Sequence, residues 1–446
     1  MSLASDLGLV ALEGTANDVA RFSKHLDRSF IEEALMAADA ATVRRRRLPA
    51  EQVLWLIVGM AMMRDCPIAE VVDRLELALP KPGRPSIAPS AVVKARARLG
   101  AAPMEWLFIR TGDEWAHRSA AADRWRGLAL YGVDGTTFRV ADSDENRDHF
   151  GGQPAGAKGR GDSGYPLVRL AALMALRSHL IASASFGPYG SELPYAETLW
   201  PSIPDDSLTL VDRNFLTASI LVGLQRSGNN RHWMTRAKST SVWRVIKKLG
   251  RGDWLVEFTV SSVARAKDAT LPATFEARAI EYKRAGHQKQ TVLTSLLDAD
   301  QYPAAEVAAL YHERWEIELG YDEIKTELLE REETLRSKSP AMVEQEIYGV
   351  LVAYNLIRLE MESIAAEAEV APTRISFAVS LRFIREEWHW AWLTRTPGAI
   401  PKRLQSMRAR IQRFVLPDRR SERSYPRAVK IKMSGYPRNR RDGRLK

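Results

Sequence analysis

The stretch YHERWEIELGYDEIKTEL, residues Tyr311–Leu328, carries both charge signs, three aromatic residues and no proline. On a helix each residue advances about 100°. With Tyr311 at zero, Arg314 falls at about 300°, Lys325 at about 320° and Glu318 at about 340°. One arc of about 60° therefore holds a tyrosine, two cations and a carboxylate, whereas a solvated helix spreads its charges around a polar face. Glu313 and Glu316 project elsewhere. Trp315 and Leu329 flank the arc, so the face is expected to be half covered by protein. Asp322, at about 20°, is a rival carboxylate one turn on, and spacing alone leaves that choice open.

Two apolar runs elsewhere lead into aspartates. RGLALYGVD reads as a strand running into Asp134, with GTTFRVAD following Gly135 as the second arm of a hairpin. SLTLVD runs into Asp212 in the same way. At a strand end a carboxylate stands on a rigid scaffold facing solvent or a metal, whereas in a strand interior it is costly unless paired. Cutting a phosphodiester needs an in-line nucleophile and stabilisation of the leaving oxygen, and two divalent metals about 3.5–4 Å apart supply both. Hard oxygen ligands suit such ions. Three carboxylates on three elements can build the pair of sites. Arg and Lys beside the glutamate would hold phosphates, and a tyrosine could donate to another phosphate oxygen.

The rest of the chain sets the frame. Its 446 residues point to two or three domains, with 45% apolar and 27% charged residues available for an ordinary core and surface. A single cysteine, Cys66, excludes an intrachain disulfide and a thiolate zinc cluster, fits a reducing compartment and reads as a buried small residue. The N-terminus lacks a secretory pattern. The longest apolar run, VLWLIVGMAMM at 53–63, is short of the roughly 20 residues a membrane span needs and reads as a buried helix. No H-E-x-x-H spacing and no Ser-His-Asp pattern stand out, and His312 and Glu313 lie off the charged face.

The net charge of +10 is a C-terminal property: Lys402–Lys446 hold 16 Lys/Arg against 3 Asp/Glu, which leaves −3 for everything before. A basic tail on a near-neutral body points to a polyanion, nucleic acid first.

Residues 1–120 read as helical, with RRRR at 44–47 ahead of Pro49 and a Pro/Gly break at Pro80–Pro89. SAVVKARARLG then places Lys94, Arg96 and Arg98 on one short helix, compatible with a helix-turn-helix facing DNA and equally with a surface helix carrying scattered basic residues. Residues 151–164 carry six glycines without the GK[ST] ending of a phosphate-cradling loop, and read as a mobile loop. PLVRLAALMAL and HWMTRAK read as strands, FLTASILVGLQRSG as a helix, and VWRVIKKL, DWLVEFTV, TFEARAIEYK and QTVLTSLL as the strands of a β-rich module within 238–300. Long helical segments and the basic tail close the chain.

Tyr311-x₂-Arg314-x₃-Glu318-x₆-Lys325 matches the YREK signature of the IS4-type DDE transposases, bacterial insertion-sequence enzymes. Asp134-Gly-Thr resembles their first catalytic aspartate segment and VDRNF, Val211–Phe215, the second. The β-rich stretch resembles their insertion module and the helical N-terminus their N-terminal domain. The resemblance covers nearly the whole chain. It implies an α/β ribonuclease-H-like catalytic core at 121–366 with a β-rich insertion at about 238–295. A helical DNA-binding domain at 1–120 and C-terminal helices with a basic arm at 367–446 would flank it. It also implies that Asp134, Asp212 and Glu318 are catalytic metal ligands, Asp134 bridging two Mg²⁺ ions that Mn²⁺ can replace. The choice of Glu318 over Asp322 comes from the family. Tyr311, Arg314 and Lys325 would contact the DNA backbone.

The expected activity is metal-dependent cutting of the terminal inverted repeats and joining of the 3′-OH to target DNA. The expected setting is a dimer assembled on double-stranded DNA, in the cytoplasm at the nucleoid and away from membranes. Some relatives flip a base onto a tryptophan, for which Trp243 and Trp254 are candidates beside a plain packing role. Two other classes compete: an inactive end-binding protein or regulator, which could have lost a carboxylate, and a host nuclease, which would need neither the cations nor the N-terminal helices.

Overall fold

The computed structural model describes residues 28–40, 48–77, 87–152, 164–283, 289–330, 334–393 and 397–417. The RRRR run at 44–47, residues 80–86 of the Pro/Gly break, residues 153–163 of the Gly-rich stretch and the arm from 418 onward lie outside them.

The described strands form one ten-stranded mixed sheet. In chain order they are β1 Ala129–Val140, β2 Leu167–Ala175, β3 Ile181–Pro188, β4 Ser207–Val211, β5 Arg231–Arg236, β6 Arg244–Gly250, β7 Asp253–Thr259, β8 Thr274–Tyr282, β9 Gln290–Thr294 and β10 Thr334–Leu335. The spatial order is β3-β2-β1-β4-β5-β9-β8-β7-β6, with the short β10 beside β1. β1, β2 and β3 run antiparallel, and β4 and β5 continue parallel to β1. Central strands such as SLTLV of β4 are buried throughout and mostly apolar because both faces are covered.

The four strands read in the β-rich stretch are present as β6 to β9. They extend the central sheet, because β9 pairs antiparallel with β5. Outermost, β6 is exposed along most of its length and carries Arg244, Lys247 and Lys248, charges of the kind that blunt a sheet edge.

One expectation changes at the strand carrying Asp134. No hairpin turns at Gly135. β1 is a single twelve-residue strand whose ladder with β2 runs unbroken through Asp134–Ala172 and Gly135–Ala171. Apolar alternation on both sides of a glycine reads as two arms, but pairing with β2 keeps the chain straight.

Helices cover the sheet: α1 Arg28–Ala37, α2 Ala50–Met62, α3 Ile68–Arg74, α4 Pro89–Leu99, α5 Ala102–Thr111, α6 Ala218–Arg226, α7 Ala304–Leu310, α8 Trp315–Asp322, α9 Pro340–Glu367, α10 Phe377–Leu393 and α11 Ile400–Ile411. The apolar α2 is buried nearly all round, as a helix without a polar face must be. It packs on the 28-residue α9, where a Cβ on Gly349 would collide with Ile57. Arg64 pairs with Glu346 across this junction at 2.9 Å, both buried.

α4 also corrects the sequence reading in part. Lys94 and Arg98 are exposed, but Arg96 turns inward and donates to Gln345 Oε1 at 2.9 Å and Ser337 Oγ at 3.0 Å. On a helix, positions 94, 96 and 98 step by about 200°, so they do not form one row. Among the described residues no helix is long and apolar enough to cross a membrane, and Cys66 is buried.

Candidate active site

The parallel ladder between β1 and β4 ends at Val133 opposite Val211. Asp134 and Asp212 are the next residue on each strand, so they stand side by side where the two strands part. This is the carboxyl end of β4, the place where open α/β sheets hold their ligands. Asp134 is therefore at the end of one ladder while inside another, so a strand-interior carboxylate also stands where two strands part. Its Oδ1 accepts the Gly135 N–H at 2.8 Å, and Asp212 Oδ1 accepts the Arg213 N–H at 2.7 Å. Thr235 on β5 donates to the Asp212 carbonyl at 3.1 Å.

The stretch Tyr311–Leu328 lies against β1, but it is not one regular helix. α7 passes into a tight 3₁₀ turn at Tyr311–Arg314, then α8, then a wide π turn at Glu323–Leu328. Such widened turns accompany functional sites. The uniform 100° wheel therefore holds only across α8, and the later positions are set by contacts. A Cβ on Gly320 would collide with Met174 and lie 3.1 Å from the Tyr354 hydroxyl, so glycine lets α8 approach β2.

On the site side of this stretch, Arg314 donates to Glu318 Oε1 at 2.8 Å, and its guanidinium lies 5.2 Å from the Trp315 ring centroid. Tyr311 donates to the Val211 carbonyl at 3.4 Å. Lys325 Nζ lies 5.8 Å from the centroid of Phe138, two turns of the pleat beyond Asp134 on the same face of β1. The half-covered face is thus realised unevenly: Tyr311 and Arg314 are 6% and 8% exposed, whereas Trp315 is 47% exposed. The rival Asp322 accepts from Thr326 Oγ1 at 2.7 Å on the exposed surface.

The charges respond to one another. Burial pushes the Asp134 carboxyl up to about 7; the Gly135 N–H and Arg314 oppose this, and the neighbouring Glu192 and Glu318 carboxylates add to it. Burial likewise pushes the Tyr311 hydroxyl up to about 12, against the pull of Arg314. A dry carboxylate among carboxylates has a deficit of positive charge, which a cation would supply. Among the described residues no three His, Cys, Asp or Glu side chains form a preformed metal cage. The donors are oxygen only and come from three separate elements. They suit a hard divalent ion that completes its shell with water and phosphate oxygens.

Behind α8 a second polar cluster anchors it. His179 faces Glu316 Oε2 at 2.8 Å and Glu323 Oε2 at 3.3 Å; Tyr354 donates to Glu323 at 2.7 Å. Glu313 pairs with Arg177 at 3.0 Å, and His312 packs edge-on against Tyr282, as their positions off the charged face anticipate.

Three residues escaped the sequence reading. Tyr321 donates to the Asp134 carbonyl at 2.7 Å; it stands within about 20° of Arg314 on the wheel, but a search by charge passes over it. Glu192, in the loop after β3, and Asn214, in the 3₁₀ turn Arg213–Phe215 of the VDRNF segment, are hydrogen-bonded at 2.7 Å, and no periodicity points to either. Trp243 packs half-buried, 5.7 Å from Phe258, and Trp254 is half-buried on β7.

Two family models match. "Insertion element 4 transposase N-terminal" covers residues 16–109, and "Transposase DDE domain" covers residues 127–356. The chain is 37% identical over 440 residues to the transposase InsG for insertion sequence element IS4 of Escherichia coli (strain K12), with 98% of each chain covered. This chain belongs to the IS4 family of DDE transposases. The putative transposase InsZ of the same organism is 40% identical over 218 residues, 48% of this chain and 71% of that one. A piggyBac transposase synaptic complex with hairpin DNA shares 12% identity at a TM-score of 0.42, over 91% of this chain and 88% of that one, a distant likeness. As an IS4 transposase the chain is an enzyme acting on DNA, and the DDE domain brings dependence on a divalent metal.

Proposed function

We propose that this transposase hydrolyses the ends of its own insertion element and joins the freed 3′-OH to target DNA at a site made by Asp134, Asp212 and Glu318. The observation that carries this is the end of the β1–β4 ladder at Val133–Val211, which leaves the two aspartates adjacent, with Glu318 presented from α8 packed on β1. The antiparallel β3-β2-β1 followed by parallel β4 and β5 supports reading the centre of the sheet as ribonuclease-H-like, with β6 to β9 as the family's insertion. Two Mg²⁺ ions, or Mn²⁺ in their place, would activate the attacking water or 3′-hydroxyl and offset charge on the leaving oxygen.

Asp134, Asp212 and Glu318 would hold the ions through their carboxylate oxygens. Arg314, bonded to Glu318 at 2.8 Å, would present its remaining guanidinium N–H groups to a DNA phosphate. Tyr311 would exchange its long bond to Val211 for phosphate, and Lys325 would approach the backbone from beside Phe138. The helices of 1–120 and the arm within 367–446 would add contacts to the terminal repeats and to target DNA. The assembly would be a dimer on double-stranded DNA in the cytoplasm, at the nucleoid.

The test is cleavage and strand transfer with Mg²⁺ on a duplex carrying the terminal repeats that flank the gene, comparing wild type with Glu318→Gln. Cutting is lost and end binding retained if Glu318 is a ligand. A Glu318→Gln variant that cuts at the wild-type rate overturns the assignment.

A further inference from the structure

Beyond Val133–Val211, no ladder pair between β1 and β4 holds the two aspartates at a fixed separation. From the β5 side, Thr235 grips the Asp212 carbonyl. From the β1 side the contact is made by a residue outside the signature, Glu192, in the loop after β3 and just before Leu193-Pro194.

The Glu192 carboxylate lies directly on the backbone of Gly135, the residue after Asp134. A Cβ there would collide with that carboxylate and come within 2.7 Å of the Glu192 Cβ. The other oxygen, Oε1, accepts from Asn214 Nδ2 at 2.7 Å. Asn214 is two residues past Asp212, in the 3₁₀ turn Arg213–Phe215. Arg169 Nη1 stands 3.9 Å from Oε2, and the Glu192 side chain is largely covered. One side chain thus touches the segment that follows each aspartate, and glycine at 135 is what gives it room.

We infer that Glu192 is a positioning residue that ties the Asp212 turn to β1 and so sets the spacing of the Asp134 and Asp212 carboxylates. The inference rests on reading those two as the metal-binding pair. Glu192 Oε1 is hydrogen-bonded by Asn214, and Oε2 packs against Gly135 with the Arg169 guanidinium 3.9 Å away. That is the geometry of a clamp, and the amide of glutamine retains an oxygen able to accept from Asn214.

The experiment uses the full chain on the terminal-repeat duplex, with Mg²⁺ titrated, for Glu192→Gln, Glu192→Ala, Asn214→Ala and the double alanine variant. Glu192→Gln should cut within about threefold of wild type and need less added Mg²⁺ than either alanine variant. Each alanine variant should lose about 10–100-fold and need more Mg²⁺, with end binding retained. The double variant should be no worse than the poorer single, because both changes break the same bond. Asn214 is exposed, so its truncation spares the core and the test survives a Glu192→Ala chain that fails to fold.

Wild-type cutting by Asn214→Ala overturns the inference, as do additive losses. Glu192→Gln as inactive as Glu192→Ala overturns it too, since the charge itself would then be required. Glu318→Gln in the same assay separates the two readings: if that variant cuts, the site assignment fails whatever Glu192 does.

Discussion

Tyr321 donates its hydroxyl to the main-chain carbonyl of Asp134 at 2.7 Å, joining the C-terminal end of α8 to the middle of β1. The tyrosine is buried, and burial beside Asp134 holds its hydroxyl well above its ordinary pKa, so it remains a donor. Tyr321→Phe keeps the shape and leaves a buried carbonyl without this partner. Stability should fall by about 1 kcal/mol, and single-turnover cleavage should fall several-fold because Asp134 is no longer held from behind. Thermal melts and cleavage rates check both. Unchanged values in both would show that the bond does nothing for the site.

Arg314 is the buried cation bonded to Glu318, and its planar fork is what a lysine cannot copy. Arg314→Lys should therefore cost about tenfold or more in cleavage despite conserving charge. A wild-type rate for Arg314→Lys would mean that only the charge matters.

Glu323 opens the π turn that carries Lys325. Burial alone would raise its pKa, but Arg358, His179 and the Tyr354 hydroxyl hold it down at about 2, against an ordinary 4.5. A depressed carboxylate stabilises the fold fully above its unfolded pKa, and that contribution is lost as pH falls from about 4.5 toward about 2. Glu323→Gln should remove on the order of 3 kcal/mol at neutral pH, and its stability should depend less on pH across that window. Urea unfolding at a series of pH values measures this. Parallel wild-type and variant curves would contradict it.

The arm from 417 onward carries most of the C-terminal positive excess. Each phosphate it neutralises should contribute about −0.9 to the slope of log K against log salt for DNA binding. Deleting 417–446 should flatten that slope. An unchanged slope would reduce the arm to a solubilising tail.

The junction of α2 with α9 at Gly349 gives a prediction about stability. A methyl there meets Ile57, including its backbone oxygen at 3.1 Å, in a fully packed contact. Gly349→Ala should cost about 1–3 kcal/mol, read as a lowered denaturation midpoint.

The sequence by itself carried the residue types and spacing of the Tyr311–Leu328 signature, the two apolar runs leading to Asp134 and Asp212, and the four strands of the β-rich stretch. These are local patterns, written by pleat and turn periodicity and by the runs that must be buried. It did not carry the continuity of β1 through Gly135, because a strand's persistence depends on a partner, here β2. Nor did it carry the 3₁₀ and π turns around α8, the inward turn of Arg96, or the contact of Glu192 with Gly135 and Asn214. Each of those is decided by side chains from distant segments competing for the same space and the same hydrogen bonds, and only the folded chain brings those segments together.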